Sequence, residues 1–271
     1  MFIKMGECED MVFVLVFAIC FMASTIGAIC GIGGGVIIKP ALDAFGIMDV
    51  STISFLSGCT VLSMTTYSVI KSKRSGSSKI NQETGVPLAL GAAIGGVLGK
   101  YLFQIIKGMS ANPERVGAIQ AACLLVVTLG TLLYTVFKSR IKTHNIQSKV
   151  VCACIGLALG IMSSFLGIGG GPINLVVFFF FFSMDTKTAA ENSLYTILFS
   201  QIAGLLYNIV SGSVPEFSIG MLLLMAGSGI CGGICGRSFN KKLESNVVDR
   251  LFIGLMAVMI VINIYNIYNF L

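Results

Sequence analysis

The chain has no tryptophan, one histidine and five prolines in 271 residues, and only 11% of it is Asp, Glu, Lys or Arg. Soluble domains carry about 25% charged residues. A chain that is 55% hydrophobic with a mean hydropathy of +0.92 is therefore not an ordinary soluble domain. The lone histidine, His144, sits in a basic loop. That leaves no Ser-His pair for a hydrolase and no His-containing ligand set for a zinc site. Asp43, Asp49 and Asp185 fall near the ends of short segments, not opposite one another within apolar stretches, so the sequence predicts no enzyme. The nine cysteines include Cys152-x-Cys154 and Cys231-x-x-x-Cys235 inside apolar stretches. They are read as small apolar filler, with no metal and no cofactor expected. The ~10-residue alternating segments of a membrane barrel are missing. So are a basic stripe with interleaved aromatics, which sets nucleic acid aside, and any Asn-x-Ser/Thr sequon. Without tryptophan, the interfacial belt falls to Tyr195, Tyr207, Tyr265 and Tyr268.

What the chain does have is apolar blocks. Eight are long: Met11–Cys30, Val50–Ile70, Gly85–Ile106, Val116–Phe137, Val150–Leu166, Thr188–Val210, Phe217–Cys235 and Val247–Leu271. Each is near the ~20 residues that cross about 30 Å of hydrocarbon. Two more, Val36–Phe45 and Pro172–Ser183, would reach only about half a bilayer at ~1.5 Å per residue. Each starts at a run of glycines and holds a proline, Pro40 or Pro172, which predicts half-helices entered through an unwound turn. The first block follows Lys4, Glu7, Glu9 and Asp10 and is of spanning length, unlike a cleavable signal peptide.

Basic residues arbitrate the topology. If the short segments re-enter, Lys and Arg divide 9 against 8, with Lys100 set aside as intramembrane. If they count as crossings, the loops 71–84, 138–149, 183–187 and 237–250 share one face with 13 basic residues, leaving Lys4, Lys107 and Arg115 opposite. The positive-inside bias selects the second arrangement, with the basic loops cytosolic and both termini outside. The net charge of +6 is then mostly a property of those loops.

The blocks fall into two matching halves. Gly31-Ile32-Gly33-Gly34-Gly35 recurs as Gly167-Ile168-Gly169-Gly170-Gly171, 136 residues on. At that offset Met48-Asp49 pairs with Met184-Asp185, Thr52 with Thr188, Ser57 with Ser193 and Thr60 with Thr196. Gly95-Gly96-Val97-Leu98-Gly99-Lys100 pairs with Gly232-Gly233-Ile234-Cys235-Gly236-Arg237, one residue later. The prediction is one all-α polytopic membrane domain over 1–271, with eight long helices and two half-helices. Residues 11–137 and 150–271 form two homologous, inverted repeats, and 138–149 is a basic linker.

On these residues the chain resembles the TauE/SafE sulfite-exporter family, a group of TSUP-type membrane permeases. The resemblance rests on the paired Gly-x-Gly-Gly-Gly runs with Pro40 nearby in the first half, and on Ala189-Ala190-Glu191-Asn192-Ser193. The Gly-x-x-Gly-basic pieces Gly96 to Lys100 and Gly233 to Arg237 also match. It covers roughly 12–265. Ile53-Ser54-Phe55-Leu56-Ser57 keeps only the serine of the corresponding first-half pattern. The resemblance implies a multi-pass permease for small sulfur anions such as sulfite, sulfonates or sulfoacetate.

Residue by residue, the glycine runs carry the most weight. Successive glycines at the head of a half-helix present several N–H groups at its positive end, which suits an anion; close helix packing is the competing reading. Neither run is a dinucleotide fingerprint, because Val36 and Pro172 stand where a third glycine should be. The candidate substrate-binding set is Gly31, Gly33, Gly34, Gly35, Lys39, Ser57, Gly167, Gly169, Gly170, Gly171, Asn174, Asn192 and Ser193. Lys39 offers a cation or else snorkels. Glu191 offers a proton carrier or else a first-turn acid. Thr60 and Gln201 are further neutral donors. Lys100 and Arg237 are read as matching helix ends, Phe178–Phe182 as a lipid contact, and Asn263, Asn266 and Asn269 as facing the bundle or the interface. The expected partners are a small anion and the lipid bilayer, with the plasma membrane as the location and the oligomeric state open. A channel built on the same two half-helices competes with a carrier.

Overall fold

The computed structural model describes the backbone of 2–76, 79–80, 82–109 and 113–270, and the side chains over the same ranges except 2–10, 113–114 and 139. Lys4, Glu7, Glu9 and Asp10, which bear on the signal-peptide reading, lie outside the described side chains. Among the described residues there are ten α-helices and no strand. They are α1 (Phe2–Cys30), α2 (Gly35–Phe45), α3 (Val50–Arg74), α4 (Gln82–Met109), α5 (Pro113–Phe137), α6 (Lys149–Phe165), α7 (Pro172–Phe182), α8 (Thr186–Val210), α9 (Ile219–Lys242) and α10 (Ser245–Phe270). Seven are long and apolar enough to span a membrane. The predicted eighth, α6, has 17 residues, or about 25 Å of helix. It stops short because Gly167 turns the chain back. The half-helices fall where the glycine runs predict them, each 11 residues long.

Contacts between helix ends fix two faces. Val12 and Phe13 in the N-terminal half of α1 share a hollow with Asp49, Thr52 and Glu216, and Val116 shares another with Lys107 and Glu216. The last turn of α10 joins them, since Phe270 packs on Gly117. This end is called the terminal face. At the opposite end Glu191 accepts hydrogen bonds from Ser72 and from the Lys79 amide, while Asp249 holds Lys138 and Thr186. All four lysine- and arginine-rich loops thus gather on one basic face. α1 runs from the terminal to the basic face and α2 returns to the terminal face. α6 starts at the basic face and α7 returns there. The short helices therefore count as crossings.

Glycine sets how closely the long helices approach. On the α4–α6 contact, a Cβ on Gly91, Gly95, Gly99, Gly156 or Gly160 would overlap a backbone carbonyl of the facing helix. The contact of α9 with α1 is built the same way, with Gly232 on the Phe21 carbonyl and Gly236 on that of Thr25. Small residues let backbones touch where lipid supplies no hydrophobic drive for association. Gly96 sits on the Ser200 carbonyl of α8, and Gly229 on that of Thr60 in α3. α4 is thus wedged between α6 and α8, and α9 between α1 and α3. The outward stripe of α4, Val86, Leu90, Ile94, Leu98 and Ile105, is exposed at helical spacing and faces lipid.

Two expectations are corrected, and the asparagine series falls as expected. Phe178, Phe179 and Phe182 are buried, packed with Cys30, Ile32 and Ala189. α7 is enclosed by α5, α8 and the linker, whose His144 and Ile146 amides donate to the Phe180 and Phe181 carbonyls. Tyr195 is also buried, under Lys73 at 5.3 Å, a cation–π contact that takes it out of the belt. Of the asparagine series, Asn263 and Asn266 face the bundle, Asn266 donating to the Pro40 carbonyl at 2.9 Å, and Asn269 is exposed.

Candidate functional site between two glycine elbows

The elbows are the turns between α1 and α2 and between α6 and α7. Gly31, Gly33, Gly167 and Gly169 have φ of 76°, 78°, 68° and 70°, the left-handed region that side chains strain. The alternating glycines let the chain reverse within four residues. Both elbows lie midway along the bundle, because Gly33 faces Val61 and Ile197, the middles of α3 and α8, and Gly169 faces Val61 as well. They also touch. A Cβ on Gly35 would overlap the Ile168 carbonyl, and one on Gly170 would stand 3.0 Å from the Ile32 carbonyl oxygen. Among the described residues, the amides of Gly33, Gly34, Gly35, Gly169, Gly170 and Gly171 donate to no backbone carbonyl. These are the orphan donors of two helix N-termini, brought together in the centre of the molecule.

Each elbow is backed by the opposite half. Gly31 presses on Ala190 of α8, and Gly167 on Ser54 of α3. Those contacts lead outward to two hollows. On the terminal side a cavity of about 190 Å³ is lined by Ser51, Ser54, Lys100, Gln104, Lys107 and Asn208, with Phe55 and Phe103. On the basic side the matching space is about 40 Å³, lined by Ala28, Ser68, Ala190, Glu191, Arg237 and Asn240. A larger hollow, about 700 Å³, is elsewhere on the terminal face, lined by Val12, Phe13, Ile47, Met48, Met221, Asp49 and Glu216. It does not reach either elbow, and among the described residues its only charges are negative. An anion would avoid it.

The predicted residues divide into buried groups left without partners, groups that touch an elbow, and groups engaged elsewhere. Ser57 and Ser193 are fully buried with hydroxyls that have no partner among the described residues, and the Oδ1 of Asn174, 1% exposed, is likewise unmatched. Gln201 packs on both Gly58 and Gly169. Thr60 spends its hydroxyl on the Leu56 carbonyl of its own helix. Lys39 is buried beside Gly167, but it forms a 2.6 Å ion pair with Asp43 one turn later. Its charge is already matched. Asn192 donates to the Thr188 and Lys79 carbonyls, near the basic face. Glu191, through Ser72 and the Lys79 amide, clamps the α3–α4 loop onto α8.

Lys100 and Arg237 do not end their helices. Arg237 donates to the Ser68 carbonyl at 3.0 Å with α9 running on to Lys242. Lys100 is 4% exposed, with α4 running on to Met109. Its importance was visible only as an ionisable residue in an apolar block; its surroundings depend on Gly204 of α8, which leaves room for its stem.

A paired, centrally placed set of glycine elbows in a helical bundle can be compared with known proteins over almost its full length. A probable membrane transporter protein of Bacillus subtilis (strain 168), YunE, is 23% identical over 270 residues, covering 88% of this chain and 92% of the relative. A probable membrane transporter protein of Haemophilus influenzae is 26% identical over 266 residues, covering 90% and 94%. No solved structure matches the chain significantly. The family model described as sulfite exporter TauE/SafE matches residues 16–262, which include both elbows and both hollows. The chain belongs to the TauE/SafE family of multi-pass membrane transporters.

Proposed function

We propose that the chain is a secondary carrier for small anions, of the class of sulfite, sulfonates and sulfoacetate, and that the touching elbows are its gate. The observation that carries this reading is the meeting of two helix N-termini, with orphan amides, midway between hollows that approach from opposite faces. Helix N-termini at the centre of a discontinuous pair favour negative charge. Ser57, Ser193, Asn174 and Gln201 add neutral donors around them without bringing in a carboxylate. The two halves act as inverted repeats, consistent with α1 and α6 starting at opposite faces. Rocking one group of helices parts the elbows toward one hollow or the other. Closure leaves no room for a ligand between Gly35 and Ile168, which favours alternating access over a standing pore. The basic face lies in the cytosol and the protein in the plasma membrane.

Flux in proteoliposomes tests this. Labelled sulfite, methanesulfonate and chloride are compared with and without a pH gradient. Saturable sulfite or methanesulfonate flux in the parent protein, abolished in a folded Gly170→Val variant, is the expected result. Unsaturated conductance points to a channel, and flux that Gly170→Val leaves unchanged removes the elbows from the pathway.

A further inference from the structure

We propose that the terminal-face hollow is an anion-binding subsite, with Lys100 as its cation and a singly charged oxyanion as its ligand. This rests on the anion-carrier reading above and gives it a first binding station. Lys100 is enclosed near the middle of α4, and among the described residues it has neither an ion pair nor a hydrogen bond. An ionised side chain held inside an apolar bundle without a partner is expensive, and such residues mark ion pathways. The hollow supplies what a partner would need. Its wall includes Ser54, 2% exposed, whose hydroxyl, a donor as well as an acceptor, is unmatched among the described residues. An unmatched hydroxyl and an unmatched cation in one hollow describe a site lacking its ligand.

Charge gives the ligand its sign and size. Among the described residues, Lys100 and Lys107 are the only ionisable ones that line the hollow. Asp49 and Glu216 stand in the neighbouring hollow of about 300 Å³, which Lys107 also lines. Potential thus becomes more positive from rim to floor. Beneath the floor Lys39 is already paired with Asp43, so Lys100 is the buried cation near the second elbow that has no counter-charge among the described residues. That matches a sulfonate or hydrogensulfite better than a dianion. Ser54 connects the subsite to the gate, since its hydroxyl lies directly against Gly167.

The absence of tryptophan supplies the assay. Phe103→Trp puts the sole indole of the chain in the wall of the hollow, and its fluorescence reads methanesulfonate binding in vesicles. Lys100→Gln in that background is expected to weaken binding by about tenfold or more, the usual effect of losing a charge-assisted hydrogen bond. Lys100→Arg restores most of it, and neutral dimethyl sulfone gives no Lys100-dependent signal. Ser54→Ala, which removes one hydroxyl, weakens binding about threefold and guards against misfolding of the lysine variant. Unchanged methanesulfonate affinity in Lys100→Gln and in Ser54→Ala, while Gly170→Val still abolishes flux, overturns the subsite and leaves the gate. Loss of affinity in Lys100→Gln that Lys100→Arg does not recover also overturns it. Failure of every anion to move in the parent protein overturns the carrier reading itself.

Discussion

The hollows at the two ends of the molecule occupy corresponding places, yet they are in different states. The basic-face hollow is small, and two of its three charged residues are engaged, Arg237 with the Ser68 carbonyl and Glu191 with Ser72 and Lys79, while Lys241 stands at its edge. The terminal-face hollow is about 190 Å³, and Lys100 within it is unpaired among the described residues. The same offset that aligns the glycine runs also aligns Lys100 with Arg237, one residue out of step. The difference teaches that equivalent residues need not do equivalent work at one instant. Where the loop 71–84 is clamped down, the base is consumed by the protein; where no clamp exists, it is left for a ligand. On the proposed carrier reading, this is the asymmetry of a state open to one face.

Breaking the septum has the largest expected effect. Gly35→Ala puts a Cβ into the Ile168 carbonyl, and overpacking against backbone costs about 3 kcal/mol or more; thermal unfolding and flux should both fall sharply. Next comes the ion pair behind the second elbow. Lys39→Met strands Asp43 and should cost about 3–5 kcal/mol, whereas Lys39→Met with Asp43→Asn should recover most of that. A double-mutant cycle on thermal stability measures the recovery. Smaller still is the clamp on the basic face. Glu191→Gln loses two charge-assisted bonds worth about 1–3 kcal/mol, loosens the α3–α4 loop to hydrogen exchange, and leaves the effect of a pH gradient on flux intact. If that effect disappears while the loop stays protected, Glu191 carries protons instead. Smallest is Gly171→Ala. Gly171 has extended backbone at φ −171°, and a Cβ there would meet nothing nearer than 3.3 Å, so stability should move by less than about 0.5 kcal/mol.

How much of this was legible in the sequence depended on the range of the signal. The elbows were readable because alternating glycines before a proline-bearing, half-length apolar segment leave few other local structures, and the second copy removed coincidence. Crossing number was readable from the lysines and arginines, which record sidedness directly. Phe178–Phe182 misled because a helix apolar on every side says nothing about which side meets lipid. Asn192 reads as an elbow donor beside Ser193, and Glu191 as a proton carrier or a first-turn acid, but their partners are Ser72 and Lys79, more than 100 positions earlier in the chain. Lys39 looked like a free cation although Asp43, one turn away, was in plain sight. Lys100 was discounted because its match with Arg237 suggested a shared structural role, and only the packing of α4 on α8 separates them.

The central claim is that the elbows divide two hollows which open by turns, and thiol labelling tests it most directly. Ser54→Cys reports the terminal-face hollow and Ser68→Cys the basic-face one; both are near-isosteric and both hydroxyls are unmatched among the described residues. With a membrane-impermeant anionic thiol reagent in oriented vesicles, Ser54→Cys should react only from the terminal face and Ser68→Cys only from the basic face. Saturating methanesulfonate should shift their rates in opposite directions. Reaction of either cysteine from both faces, or rates that rise and fall together, would contradict the account.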